Sequence, residues 1–113
     1  MGRVKVLDQA KLPFQDVHPN VRVKELSGGD EGPWVLYQEW TPNFEAAAHS
    51  HTADELICVL EGEMHLAGEI CHRGSVLFVE KGTIYGPLKA GAHGVKFLNI
   101  RTSKIHMLQR EPA

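Results

Sequence analysis

Cysteine, long apolar runs and clustered basic charge are all scarce in this chain, and each scarcity closes off a class of protein. Two cysteines in 113 residues, Cys58 and Cys71, are too few for a disulfide framework or a zinc ribbon, and Cys58, in an apolar stretch, is expected to be buried and inert. The longest apolar runs, such as Leu56–Leu60, fall far short of the roughly 18–20 residues that cross a bilayer, so no membrane partner is expected. Met1–Leu7 alternates charge with aliphatics and forms no continuous apolar block. No secretory leader is read there, and a cytoplasmic chain is expected. The net charge of −2 comes without a basic cluster, which removes the electrostatic footprint of a nucleic-acid partner. Repeats, low-complexity tracts and convincing helical periodicity are missing too. The length suits a single domain over 1–113, large enough for one core.

What is present is a succession of short period-two patterns broken by turn residues. Positions 3–7 read as an N-terminal edge strand, followed by a loop interrupted by Pro13 and Pro19. Val21–Leu26 alternates Val21 and Val23 with Arg22 and Lys24, a half-exposed strand, and the glycines and proline of 27–33 make a turn. Trp34–Thr41 sets Trp34, Leu36, Gln38 and Trp40 on one face and Val35, Tyr37 and Glu39 on the other. If the even face looks inward, Gln38 and Trp40 line a pocket. Glu55–Leu60 is apolar on both faces, with Ile57 and Val59 inward beside Glu55 and Leu56, Cys58 and Leu60 outward. That outer face needs a cover, and a second copy of the chain in a homodimer is the expected one. Glu61-Gly62 is read as a turn into a strand with Met64 inward and His65 outward. Val76–Val79 and Val95–Arg101 are further strands, with glycine-marked loops at Gly86-Pro87 and Gly91–Gly94; Val95, Phe97, Asn99 and Arg101 share a face. Asn99 or Arg101 could reach a bound anion, although an arginine at a strand end is more often solvated. The tail over 102–113 keeps Ile105, Met107 and Leu108, enough for a last strand before a frayed end. Strands without helices indicate an all-β sandwich or barrel.

The stretch from His49 to Gly62, HSHTADELICVLEG, carries a chemical reading. Residues two apart on a strand face the same way, with alpha carbons roughly 6.6 Å apart, so His49 and His51 can aim their rings at one ion. Four more residues of straight strand would carry Glu55 about 13 Å beyond His51. The chain must therefore turn at Thr52-Ala53-Asp54 for the carboxylate to fold back towards the histidines. Two imidazoles and a carboxylate with open positions suit one divalent transition metal, Fe, Mn, Ni, Co or Zn, without choosing among them.

His49, His51, Glu55 and Gly62 match, without a gap, the first motif of the cupin family, which the chain resembles. The second motif is looser: Gly74 and Gly82 fit, while Glu80 stands at the usual proline, Tyr85 at the usual histidine and Lys89 at the usual asparagine. The resemblance implies a jelly-roll barrel (a double-stranded β-helix) with a core over about 21–101 and the ligands inside its mouth. Tyr85 is then a fourth ligand, a group behind the ligands or a substrate-facing catalytic group; His93, in a glycine-flanked loop, could instead supply the missing imidazole, although loop histidines are usually solvated. Gln38, Trp40, Ile57, Met64, Phe97 and Asn99 are candidates for the pocket walls. By the same resemblance, the expected function is metal-dependent catalysis on a small organic molecule, by oxygenative cleavage, isomerisation or cyclisation. The alternative is a cupin that binds or senses a small molecule or metal without chemistry.

Overall fold

The computed structural model describes residues 2, 4–28 and 33–102, together with the backbone of 108–110. Among the described residues ten strands follow in chain order: β1 (Gln15–His18), β2 (Val21–Gly28), β3 (Trp34–Trp40), β4 (Glu45–Ala46), β5 (His49–His51), β6 (Glu55–Leu66), β7 (Glu69–Cys71), β8 (Val76–Val79), β9 (Leu88–Arg101) and β10 (Leu108–Arg110). The main antiparallel sheet runs β1-β2-β3-β9-β6-β7, with β4 also on β9 and β8 also on β6; β5 pairs with β10. The only helical piece among the described residues is a 3-10 turn at Gln9–Lys11, capped by the Asp8 side chain. No helix among them is long and apolar enough to cross a membrane.

β6 and β9 are the spine. Glu55–Cys58 pairs with both β8 and β9, whereas Met64–Leu66 pairs with β7 and the start of β9, so both long strands serve two parts of the curved sheet. They bend where their register shifts, between Val59 and Glu61 and between Gly62 and Met64. Gly62 has φ +78, and a β-carbon there would lie 2.2 Å from the Gly94 carbonyl oxygen; Gly94 has φ +82. Only glycine fits such a contact. The sequence expectation of a turn at Glu61-Gly62 and a loop at Gly91–Gly94 is therefore corrected: these glycines bulge two continuous strands and do not end them. The reversal after β6 comes instead at Ala67-Gly68, both at positive φ, as a two-residue hairpin requires.

The N-terminal edge strand expected over 3–7 is not found: positions 4–8 carry no ladder, and Val4 and Val6 are almost fully exposed. The first strand among the described residues is β1, between the two prolines, where Gln15 and Asp16 find partners in Val23 and Arg22. The strand expected in the tail has its counterpart in β10; positions 103–107 and 111–113 lie outside the described residues.

Ile57, Val59, Met64, Leu88, Ala90, Val95 and Phe97 form the main core, with Trp40 edge-on to Phe97 at 5.2 Å. The even face of β3 thus looks inward. At one end of this core four residues sit side by side across the strands: Trp34 opposite Arg101, Arg101 opposite Glu55, Glu55 opposite Val79. The next layer inward places Leu36, Asn99, Ile57 and Leu77 in the same order.

Candidate functional site

Glu55 is 2% exposed, a charged group among apolar walls. Burying a carboxylate is costly unless donors replace its water, and three converge on it. The Tyr85 hydroxyl donates to Oε1; the Asn99 amide and Arg101 Nε each donate to Oε2 at 2.8 Å. Burial alone would raise the Glu55 carboxyl, but the Tyr85 hydroxyl, the Arg101 charge and the Asn99 amide outweigh it and hold it below its ordinary value. Tyr85 is pushed the other way: burial, then the Glu55 charge and the bond to it, raise the phenol far above its usual range. Tyr85 is a neutral donor at physiological pH.

The histidines stand beside this carboxylate on β5, which is placed by its bonds to the chain after β8. His49 and Tyr85 exchange both backbone hydrogen bonds, at 3.0 and 2.9 Å, and the Gly82 amide donates to the His51 carbonyl at 2.7 Å. The turn to Glu55 is pinned by Asp54, whose side chain accepts from the Lys81 amide at 2.9 Å. The His49 and His51 rings lie 5.0 Å apart at 90°, His49 is 4.7 Å from the Tyr85 ring, and His51 Nε2 is 3.9 Å from Glu55 Oε2. His49 Nδ1 lies 2.8 Å from the Ala47 carbonyl, which can only accept, so Nδ1 carries a proton and, in the neutral tautomer, Nε2 is the acceptor.

These donors can be tested against a divalent ion. Two imidazoles bound about 2.1 Å from a common centre have ring centres roughly 5 Å apart, which matches the pair, and an Nδ1–H on a backbone carbonyl is the usual partner of a ligating ring. Glu55 is less available. Its carboxylate offers about four acceptor positions, and Tyr85, Asn99 and Arg101 take three. Among the described residues no group of three His, Cys, Asp or Glu side chains is drawn together as a metal-holding cluster. The spacing of the two rings is that of a pair sharing an ion; Glu55 would join only by its last open position.

Of the other candidates, Gln38 and Trp40 extend the polar chain inward: Trp40 Nε1 donates to Gln38 Oε1 at 3.0 Å, and Gln38 Nε2 to Asn99 Oδ1 at 3.4 Å. Ile57 lies one layer below Glu55. Met64 and Phe97, like Ile57, belong to the packed core, with 0 and 2% exposure. His93 is eight residues from Arg101 along β9, about 26 Å on an extended strand, and with Arg22, Glu39, Glu61 and Lys96 lines a separate cavity of about 480 Å³. It is no ligand for this site. Arg101, for which the sequence left open a bound anion or a solvated strand end, has a side chain 13% exposed and paired with Glu55. Shared parity with Asn99 was the available signal.

The fold is that of the cupins. The polyketide cyclase RemF from Streptomyces resistomycificus superposes with a TM-score of 0.80 at 18% identity, covering 98% of this chain and 87% of that one. KdgF from Halomonas sp. gives 0.77 at 16%, covering 89 and 94%. An RmlC-like cupin protein from Ralstonia eutropha JMP134 gives 0.75 at 18%, covering 89 and 69%. No curated protein matches the sequence. The model of the ChrR cupin-like domain family matches residues 3–104, and the chain belongs to that family.

Proposed function

We propose that the mouth of this barrel holds a divalent transition metal on His49 and His51, with Glu55 as the third donor, and that a small organic molecule is transformed beside it. The observation that carries the reading is the histidine pair: two rings 5.0 Å apart, one with its Nδ1 proton committed to Ala47, next to a buried carboxylate. An ion there would supply Lewis acidity to a coordinated oxygen. The chain's own groups do the rest. Asn99 and Arg101 fix one oxygen of Glu55, Tyr85 holds the other, and the Tyr85 ring lies 4.7 Å from that of His49, which sets its hydroxyl beside the histidines as a proton-bearing group. Trp34 and Val79 flank the Arg101 and Glu55 pair across the strands. Oxygenative cleavage, isomerisation and cyclisation all use such a site; the structural neighbours include a polyketide cyclase and oxalate decarboxylases, and fold does not choose among them.

Metal analysis of protein purified without chelator or histidine tag tests the reading. About one ion per chain is expected, with loss in His51→Ala and retained strand content. An unchanged metal content in that variant contradicts it. The second reading, a pocket that binds without chemistry, is favoured by the three donors already on Glu55; it predicts ligand binding with no product after long incubation.

A further inference from the structure

Arg101 holds Glu55 by a single contact. Its Nε donates to Oε2 at 2.8 Å, and among the described residues no bond is found to either Nη group. A guanidinium has five N–H donors in a rigid fork, so four remain on the two Nη groups, two of them parallel on the end turned away from Nε. A purely structural arginine–carboxylate pair would gain by meeting the carboxylate with two parallel bonds. Here Asn99 shares Oε2 and Tyr85 takes Oε1, so the anion is satisfied while most of the fork is not. The plane of the fork is also restrained, because Trp34, its cross-strand neighbour, has its ring 5.0 Å from the guanidinium carbon. Arg101 belongs to the outermost inward-facing layer, with Glu55, at the end of the barrel that His51 approaches. Neither Nη is among the buried polar atoms without a partner, so what remains accessible of this 13%-exposed side chain includes the Nη groups, open to a molecule that enters the pocket.

We propose that Arg101 recognises the carboxylate of the small molecule taken by this pocket, so that the ligand is an organic acid; this rests on the reading of the barrel mouth as the small-molecule site. A carboxylate matches the spacing of two parallel N–H bonds from the free edge. Glu55 does not forbid a second anion there, because its charge is already shared with Tyr85 and Asn99. The reacting part of the acid then faces the histidines.

Lactate and lactamide, alike in shape but differing in charge, are the probes, titrated by calorimetry or ligand-observed NMR into metal-loaded and chelator-stripped protein. Wild type is expected to bind lactate about tenfold more tightly than lactamide. Arg101→Lys keeps a cation beside Glu55 but loses the fork, and the preference should fall to below about threefold. Arg101→Gln should abolish it, and Arg101→Lys serves alone if the glutamine variant does not fold. Equal affinity for both probes in wild type, no lactate binding up to about 50 mM, or an undiminished preference in Arg101→Lys overturns the proposal. If the preference persists in protein that binds no metal at His49 and His51, the metal reading falls and the acid reading stands. Normal metal binding with equal probe affinities does the reverse.

Discussion

Glu55 keeps its charge in an apolar layer because Tyr85, Asn99 and Arg101 replace the water it loses. The arrangement is reciprocal: Glu55→Gln leaves Arg101 without its counter-charge and should cost about 3 kcal/mol, whereas Tyr85→Phe removes one donor of three and should cost about 1 kcal/mol. The sign of the pH dependence follows from the lowered carboxyl. A group whose folded value lies below its unfolded one, ordinarily 4.5, contributes its full stability above that pH and loses it as pH falls through the folded value. Urea melts between about pH 3 and 6 should therefore show the wild-type advantage over Glu55→Gln shrinking below about 4.5; an advantage constant with pH would show that the charge is not what stabilises. His49, His51 and Glu55 were legible in the sequence because spacing and strand parity are local properties. The pairing of Arg101 with Glu55 was not, since it depends on β9 lying beside β6, across 46 positions that no short window contains.

Strands were legible as elements wherever alternation was clean, as in Val21–Leu26 and Trp34–Trp40. Their ends were less so where glycine occurs, because one residue type serves both turns and bulges. Gly68 turns the chain, while Gly62 and Gly94 let two strands cross at close range without ending them. Gly62→Ala separates these roles. A β-carbon would meet the Gly94 carbonyl and force positive φ on alanine, so a loss of more than about 2 kcal/mol is expected by denaturant melting. Gly68→Ala meets no atom within 4 Å and should cost only the strain of its φ, about 1 kcal/mol. Equal costs would mean that Gly62 is an ordinary turn glycine. At positions 4–8 an alternating pattern made no strand: without a neighbour to bond, periodicity alone holds nothing.

For the molecule as a whole, the inside is accounted for and one outside face is not. Val76 and Phe78 are 60 and 62% exposed, and across the register they continue into Cys58 and Leu56, with exposed Leu60 two residues beyond Cys58. An apolar patch of this kind on a chain of net charge −2, with little to keep two copies apart, fits face-to-face pairing about a two-fold axis. Sedimentation should give twice the chain mass for wild type and the chain mass for Phe78→Glu; a monomeric wild type would leave the patch to another partner. The functional reading turns on whether both histidines reach one centre. Protein loaded with Cu(II) and studied by pulsed electron paramagnetic resonance reports the imidazole nitrogens on the ion. Two couplings are expected in wild type and one in each of His49→Ala and His51→Ala, whereas a wild-type spectrum unchanged by both substitutions would contradict the site.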